Sequence, residues 1–149
     1  MMKFQAKKIR TIKMARIEVQ SLVYAPINVI WNTYNNPQDI EQWNTASPDW
    51  HTVNSKNDLR VGGQFSNRMQ AKDGSMGFDF SGIYTEVMPN EKIAYSFGDR
   101  TAEILFQQQN DGVLISIKFD PENQYPLEQQ QAGWQAILDN FKRYVESKS

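Results

Sequence analysis

Residues 127–141 read LEQQQAGWQAILDNF. Leu127, Trp134, Ile137, Leu138, Phe141, Tyr144 and Val145 recur at the spacing of one face of an α-helix. The stretch predicts a long amphipathic helix near the end of the chain. Gly133 interrupts it, and a mid-helix glycine costs roughly 1 kcal/mol relative to alanine. We read Gly133 as removing a side chain where a strand, another helix or a ligand comes close. Gly133 is then expected to face a crowded contact, with Trp134 and Ile137 facing a sheet.

The segments before this helix supply that sheet. ARIEVQSLVY alternates Ile17, Val19, Ser21 and Val23 against Arg16, Glu18 and Gln20, the pattern of a half-buried strand. Ala25-Pro26 ends it, and Pro26 suits a helix's first turn, where no amide donor is needed. PINVIWNTY groups Ile27, Ile30, Trp31 and Tyr34 on one side. Asn36-Pro37 breaks that helix, and PQDIEQW reads as a second short one with Ile40 and Trp43 inward. Strand and turn follow: HTVNSKN as polar strand or loop, DLRVGG as a turn, and GQFSNRMQA with Phe65, Met69 and Ala71 in phase. Lys72-Asp73-Gly74-Ser75 marks a hairpin before FDFSGIYTEV. KIAYSF, TAEILFQQQ and VLISIKF complete the strands, separated by turns at Asp99-Arg100 and Asn110-Asp111-Gly112.

Short hairpins make consecutive strands neighbours. About six to seven antiparallel strands must then be covered on their apolar face by one long helix. A curved sheet wrapped around that helix satisfies this α+β pattern. The space between them becomes a cavity, closed at one end by the V of short helices.

The bulk properties narrow the function. The 149 residues suit one domain, and the absence of cysteine excludes disulfides and fits a reducing cytosol. No apolar run reaches the ~20 residues of a membrane span. The net charge of −1 argues against a dedicated nucleic-acid binder. Lys3, Lys7, Lys8, Arg10 and Lys13 make residues 1–14 a basic arm, leaving 11 basic and 17 acidic groups, or −6, for the domain over 15–149. Such an arm is read as a solvated terminus rather than as a tether to an anionic partner. Oligomeric state is not readable; a homodimer through a strand edge near the arm stays open.

The candidate site residues follow from the phases. Phe65, Met69, Phe78, Phe80, Tyr84, Tyr95 and Phe97 share one face, which reads either as plain core or as an adaptable aromatic lining for an apolar guest. Trp43 and Trp50 flank the polar stretch NTASPDWH, where they either stack on a flat ligand or plug the core; Trp50 is placed in a loop. Gly133, Trp134 and Ile137 contribute the helix side. His51 is the only histidine, suited to proton transfer near neutrality and too few for a metal site. Asp79, Glu103 and Arg68 read as outward by phase. No triad, carboxylate pair or phosphate-binding glycine loop is present, and neither metal nor cofactor is expected.

Ala25-Pro26…Trp31, Asn36-Pro37…Trp43, DLRVGGQF (58–65), Asp73-Gly74, GIYTEV (82–87) and Gly133-Trp134 occur in an order that resembles the START-like (SRPBCC) superfamily. The chain is similar to its branch named after the activator of the heat-shock-protein-90 ATPase, from about Ala15 to Val145. The resemblance implies a helix-grip fold. It implies binding of a hydrophobic or aromatic small molecule, lipid- or polyketide-like, with two alternatives. One is a cyclase- or hydratase-type enzyme using His51, Tyr84 or Asp79. The other is a chaperone-associated stress-response domain.

Overall fold

The computed structural model describes residues 15–148. The basic arm expected over residues 1–14 lies outside the described residues. The elements run β1 (Ile17–Val23), α1 (Ile27–Asn35), α2 (Pro37–Trp43), β2 (Trp50–Asn57), β3 (Gln64–Ala71), β4 (Gly77–Met88), β5 (Lys92–Phe97), β6 (Arg100–Gln108), β7 (Val113–Phe119) and α3 (Leu127–Ser147). The seven strands form one antiparallel sheet in the order β1-β7-β6-β5-β4-β3-β2. Strands β2 to β7 are a plain meander, as their short hairpins require. Strand β1 joins at the far edge, beside β7, so the α1–α2 segment crosses from one edge of the sheet to the other. This is the expected helix-grip architecture.

The sheet's inner face and α3 share one core. Phe119, Phe141, Ile30, Ile93, Ile104, Ile115 and Leu138 are its largest fully buried side chains. Phe119 lies flat on Trp134, with ring centroids 3.9 Å apart and planes 9° from parallel. Trp134 and Ile137 therefore pack toward the sheet, in agreement with the periodicity. Leu127 fits that periodicity but is 46% exposed.

The glutamine run has a structural use. The carbonyls of Glu18 and Gln20, on the free edge of β1, accept hydrogen bonds from the side chains of Gln131 and Gln135 at 3.2 and 2.9 Å. Lys142 donates to the Leu22 carbonyl, and Glu146 accepts from the Tyr24 amide. Side chains on one flank of α3 thus occupy an edge that would otherwise offer itself to another strand. Gln130 does a different job, donating to the carbonyls of Glu122 and Tyr125 and accepting from the Glu122 amide, which holds the loop before α3.

Two local expectations need correction. Trp50 is the first residue of β2 rather than part of a loop, because it pairs with Ala71. The turn after β5 is Gly98-Asp99 instead of Asp99-Arg100, since Gly98 supplies the left-handed φ of 65°. Arg100 accordingly opens β6 opposite Phe97, on the inner face. Strand β4 also carries a bulge between Tyr84 and Glu86, which moves Val87 rather than Glu86 onto the face of Ile93.

Candidate functional site

The alternation of β3 and β4 builds one wall of a cavity. Phe65, Asn67 and Met69 face inward on β3, opposite Gly82, Phe80 and Phe78 on β4. Tyr84 and Tyr95 are directly paired and continue the wall across β5. Trp134, Ile137 and Leu138 of α3 form the opposite wall, while Tyr34 of α1 and Ile40 and Trp43 of α2 close one end. The space between these walls is about 310 Å³, within the ordinary range of small-molecule sites.

The closed end is held by a relay of hydrogen bonds. Backbone bonds join Gly62 and Gly63 to Tyr84: the Gly62 amide donates to the Tyr84 carbonyl at 2.8 Å, and the Tyr84 amide donates to the Gly63 carbonyl at 2.9 Å. The Tyr84 hydroxyl donates to Asn57 Oδ1, and Asn57 Nδ2 donates to the Asn35 carbonyl at the end of α1. The 58–63 turn thereby sets the position of Tyr84, and Tyr84 ties the sheet to the short helices.

The phenols of the lining stay neutral. Burial pushes the phenols of Tyr34, Tyr84 and Tyr95 well above their ordinary value. They act as hydrogen-bonding groups, not as bases. Arg100 brings the cationic group on the inner wall, its guanidinium 4.4 Å from the Phe97 ring centroid and donating to the Asp120 carbonyl at 3.4 Å.

The cavity opens beside the N-terminal half of α3, through an adjoining space lined by Trp50, Phe78, Tyr125, Gly133 and Trp134. Phe78 is 49% and Tyr125 55% exposed. Trp50 and Phe78 lean on each other with ring centroids 6.1 Å apart.

Most of the expected lining converges here, with exceptions. Phe97 does not reach the cavity; it is buried among Phe80, Tyr95 and Trp134 and covered by Arg100. Trp43 is a packed end wall, its indole N–H donating to the Thr33 carbonyl at 3.1 Å. His51 borders only the mouth, because its register opposite Gln70 turns it away from the Thr52 and Met69 face; its Nε2 lies 3.2 Å from Gln70 Nε2. Asp79 is exposed and pairs with Arg68 across the outer face at 3.5 Å. Glu103 also faces outward, paired with Arg16 and Lys92.

Gly133 overturns its expectation. A methyl group built there meets nothing within 4 Å. It lies at the open mouth, where neither strand nor helix approaches. Gly133→Ala is therefore expected to raise stability by about 1 kcal/mol, the helix-propensity difference, read as a higher urea midpoint at unchanged slope. An unchanged or lowered midpoint would contradict the open surroundings.

Sequence reasoning missed Tyr34, Asn57, Asn67, Arg100, Tyr125 and Gln130 as lining residues. Asn67 was recoverable, since it is in phase with Phe65 and Met69. Arg100 was hidden by the one-residue error in the turn. Tyr125 carries no periodic signal at all.

Among the described residues, no cluster of three or more His, Asp or Glu is placed to hold a metal, and no helix is long and apolar enough to cross a membrane. No curated protein matches the chain. Among solved structures it is similar to the AHSA1-like protein of Aeromonas hydrophila, with 43% identity, TM-score 0.85, and coverage of 90% of this chain and 94% of that one. A protein from Cytophaga hutchinsonii is 47% identical with TM-score 0.78, covering 89% and 93%. A protein from Chromobacterium violaceum shares the fold at 24% identity and TM-score 0.79, covering 88% and 96%. Residues 24–146 match the family model described as Activator of Hsp90 ATPase homolog 1-like protein, and the chain belongs to that family.

Proposed function

We propose that this protein is a cytoplasmic binding module that holds a mostly apolar, aromatic or alicyclic small molecule between the sheet and α3. The observation that carries this reading is the largely aromatic-lined cavity of about 310 Å³, continuous with an apolar mouth. Trp134 and Trp50 stand where a guest would enter, and the bare Gly133 widens that entrance. The enzymatic alternative draws no support from the site, since His51, Tyr84 and Asp79 sit at the mouth, the closed end and the outer face. The chaperone-associated alternative rests on the family description alone.

The test is native mass spectrometry of the purified protein, paired with a tryptophan-fluorescence screen of fatty acids, flavonoids and aromatic polyketides. Saturable quenching at micromolar concentration by at least one class is expected. Absence of binding by every class up to its solubility limit would sink the proposal.

A further inference from the structure

Within the aromatic wall of the cavity one side chain is out of keeping with its neighbours. Asn67 sits between Phe65 and Met69 on β3 and opposite Phe80 on β4. It is 6% exposed and lines the cavity. Its Oδ1 is inaccessible and accepts no hydrogen bond, and among the described residues no partner engages its amide nitrogen either. The other asparagines of the lining are used differently: Asn57 bridges Tyr84 and α1, as described above. A buried carboxamide oxygen with no donor opposes folding, and an apolar residue of similar size would fill this position at less cost. Directly across the β3–β4 ladder stands Phe80, which cannot pair with it.

We infer that Asn67 is the polar recognition point of the cavity, and that the ligand is an aromatic or alicyclic molecule carrying a hydroxyl or carbonyl group within its ring framework. This rests on the binding reading above and names the chemical class of the guest. The carboxamide presents one acceptor and two donors. Because Oδ1 is inaccessible, the end that a guest can reach is the Nδ2 donor, which a ring carbonyl or hydroxyl oxygen satisfies. A fatty acyl chain does not. It carries its head group at one end, and seated tail-first it would lay methylene groups against the carboxamide and leave it unpaired. The same cavity therefore discriminates between two classes of hydrophobic guest that its aromatic lining alone would not separate.

The experiment compares three probes on the full chain by titration calorimetry and tryptophan quenching. 4-Hydroxybenzophenone carries both a donor and an acceptor. Diphenylmethane has the same two rings without either. Palmitate represents the acyl class. The wild type is expected to bind 4-hydroxybenzophenone at least about tenfold more tightly than diphenylmethane, although the hydrocarbon is the more hydrophobic of the two. In Asn67→Leu, verified as folded by its thermal transition, that preference should disappear or reverse. Should the variant fail to fold, the wild-type ranking alone decides. If diphenylmethane or palmitate binds the wild type as tightly as 4-hydroxybenzophenone, the inference is overturned while the binding module stands. A preference that survives intact in Asn67→Leu overturns it as well. If none of the three binds, the inference is overturned, and the binding reading stands or falls with the broader ligand screen above.

Discussion

Replacing Phe141 by alanine is expected to destabilise the protein by about 3–5 kcal/mol. Phe141 is fully buried on α3. Its ring meets Tyr34 of α1 edge-on at 5.2 Å and Trp43 of α2 edge-on at 4.9 Å. It is thus a side chain that packs against both short helices from the long one. Truncation removes the transfer free energy of the ring and leaves a void that three different elements would have to move to close. Partial collapse is hindered because Trp43 is also fixed through its indole N–H to Thr33. The loss is a large fraction of the ~5–15 kcal/mol that stabilises a typical domain. Urea unfolding followed by tryptophan fluorescence measures it directly. A loss below about 1 kcal/mol would mean that the helices are not joined through this ring.

Gly63→Ala is expected to cost about 3 kcal/mol, the upper end of the usual range for overpacking. A Cβ at this position would sit 2.1 Å from the Asp58 carbonyl oxygen and 3.0 Å from that of Arg60. Both are backbone atoms, so no side-chain rotation relieves the clash. The turn is constrained on its other side too, by the paired hydrogen bonds to Tyr84. The substitution must therefore either open the 58–63 turn or displace Tyr84 from Asn57. Val61→Ala on the same turn, where the side chain is exposed, is the matched control and should fall within about 0.5 kcal/mol of wild type. Equal thermal transitions for the two variants would refute this account of the glycine pair.

The two expectations sit at different distances from the sequence. Phe141 is legible as a core residue, because it recurs with Trp134, Leu138 and Val145 at helical spacing. The strong alternation of β5, β6 and β7 is legible for the same reason: a strand buried on one face shows its period directly. The 58–63 turn could be recognised as a turn, but not the carbonyl that Gly63 approaches. Such a contact depends on how the chain returns, and glycine gives no hint of whether its missing side chain is excluded or merely absent. Gly133 makes the point from the other direction. It was read as a crowded contact and stands in open space, since helix periodicity gives the face of a residue but not the distance to what lies beyond it.

For the candidate site the division is similar. Phe65, Met69, Phe78, Phe80, Tyr84 and Tyr95 could be grouped by phase, because alternation assigns faces within each strand. Phe97 follows the same rule and still misses the cavity, since inward-facing residues divide between core and lining according to what packs over them.

By itself, then, the sequence determined the order of elements, their inward faces and the helix-grip arrangement. These follow from periodicity, turn chemistry and the shortness of the hairpins, all of which act over a few residues. The tertiary structure alone decided where the cavity is empty, which flank of α3 serves the β1 edge, and that Asn67 is left without a partner. Those are relations between segments far apart in the chain. They depend on register, sheet curvature and the separation of facing surfaces, which no local pattern encodes.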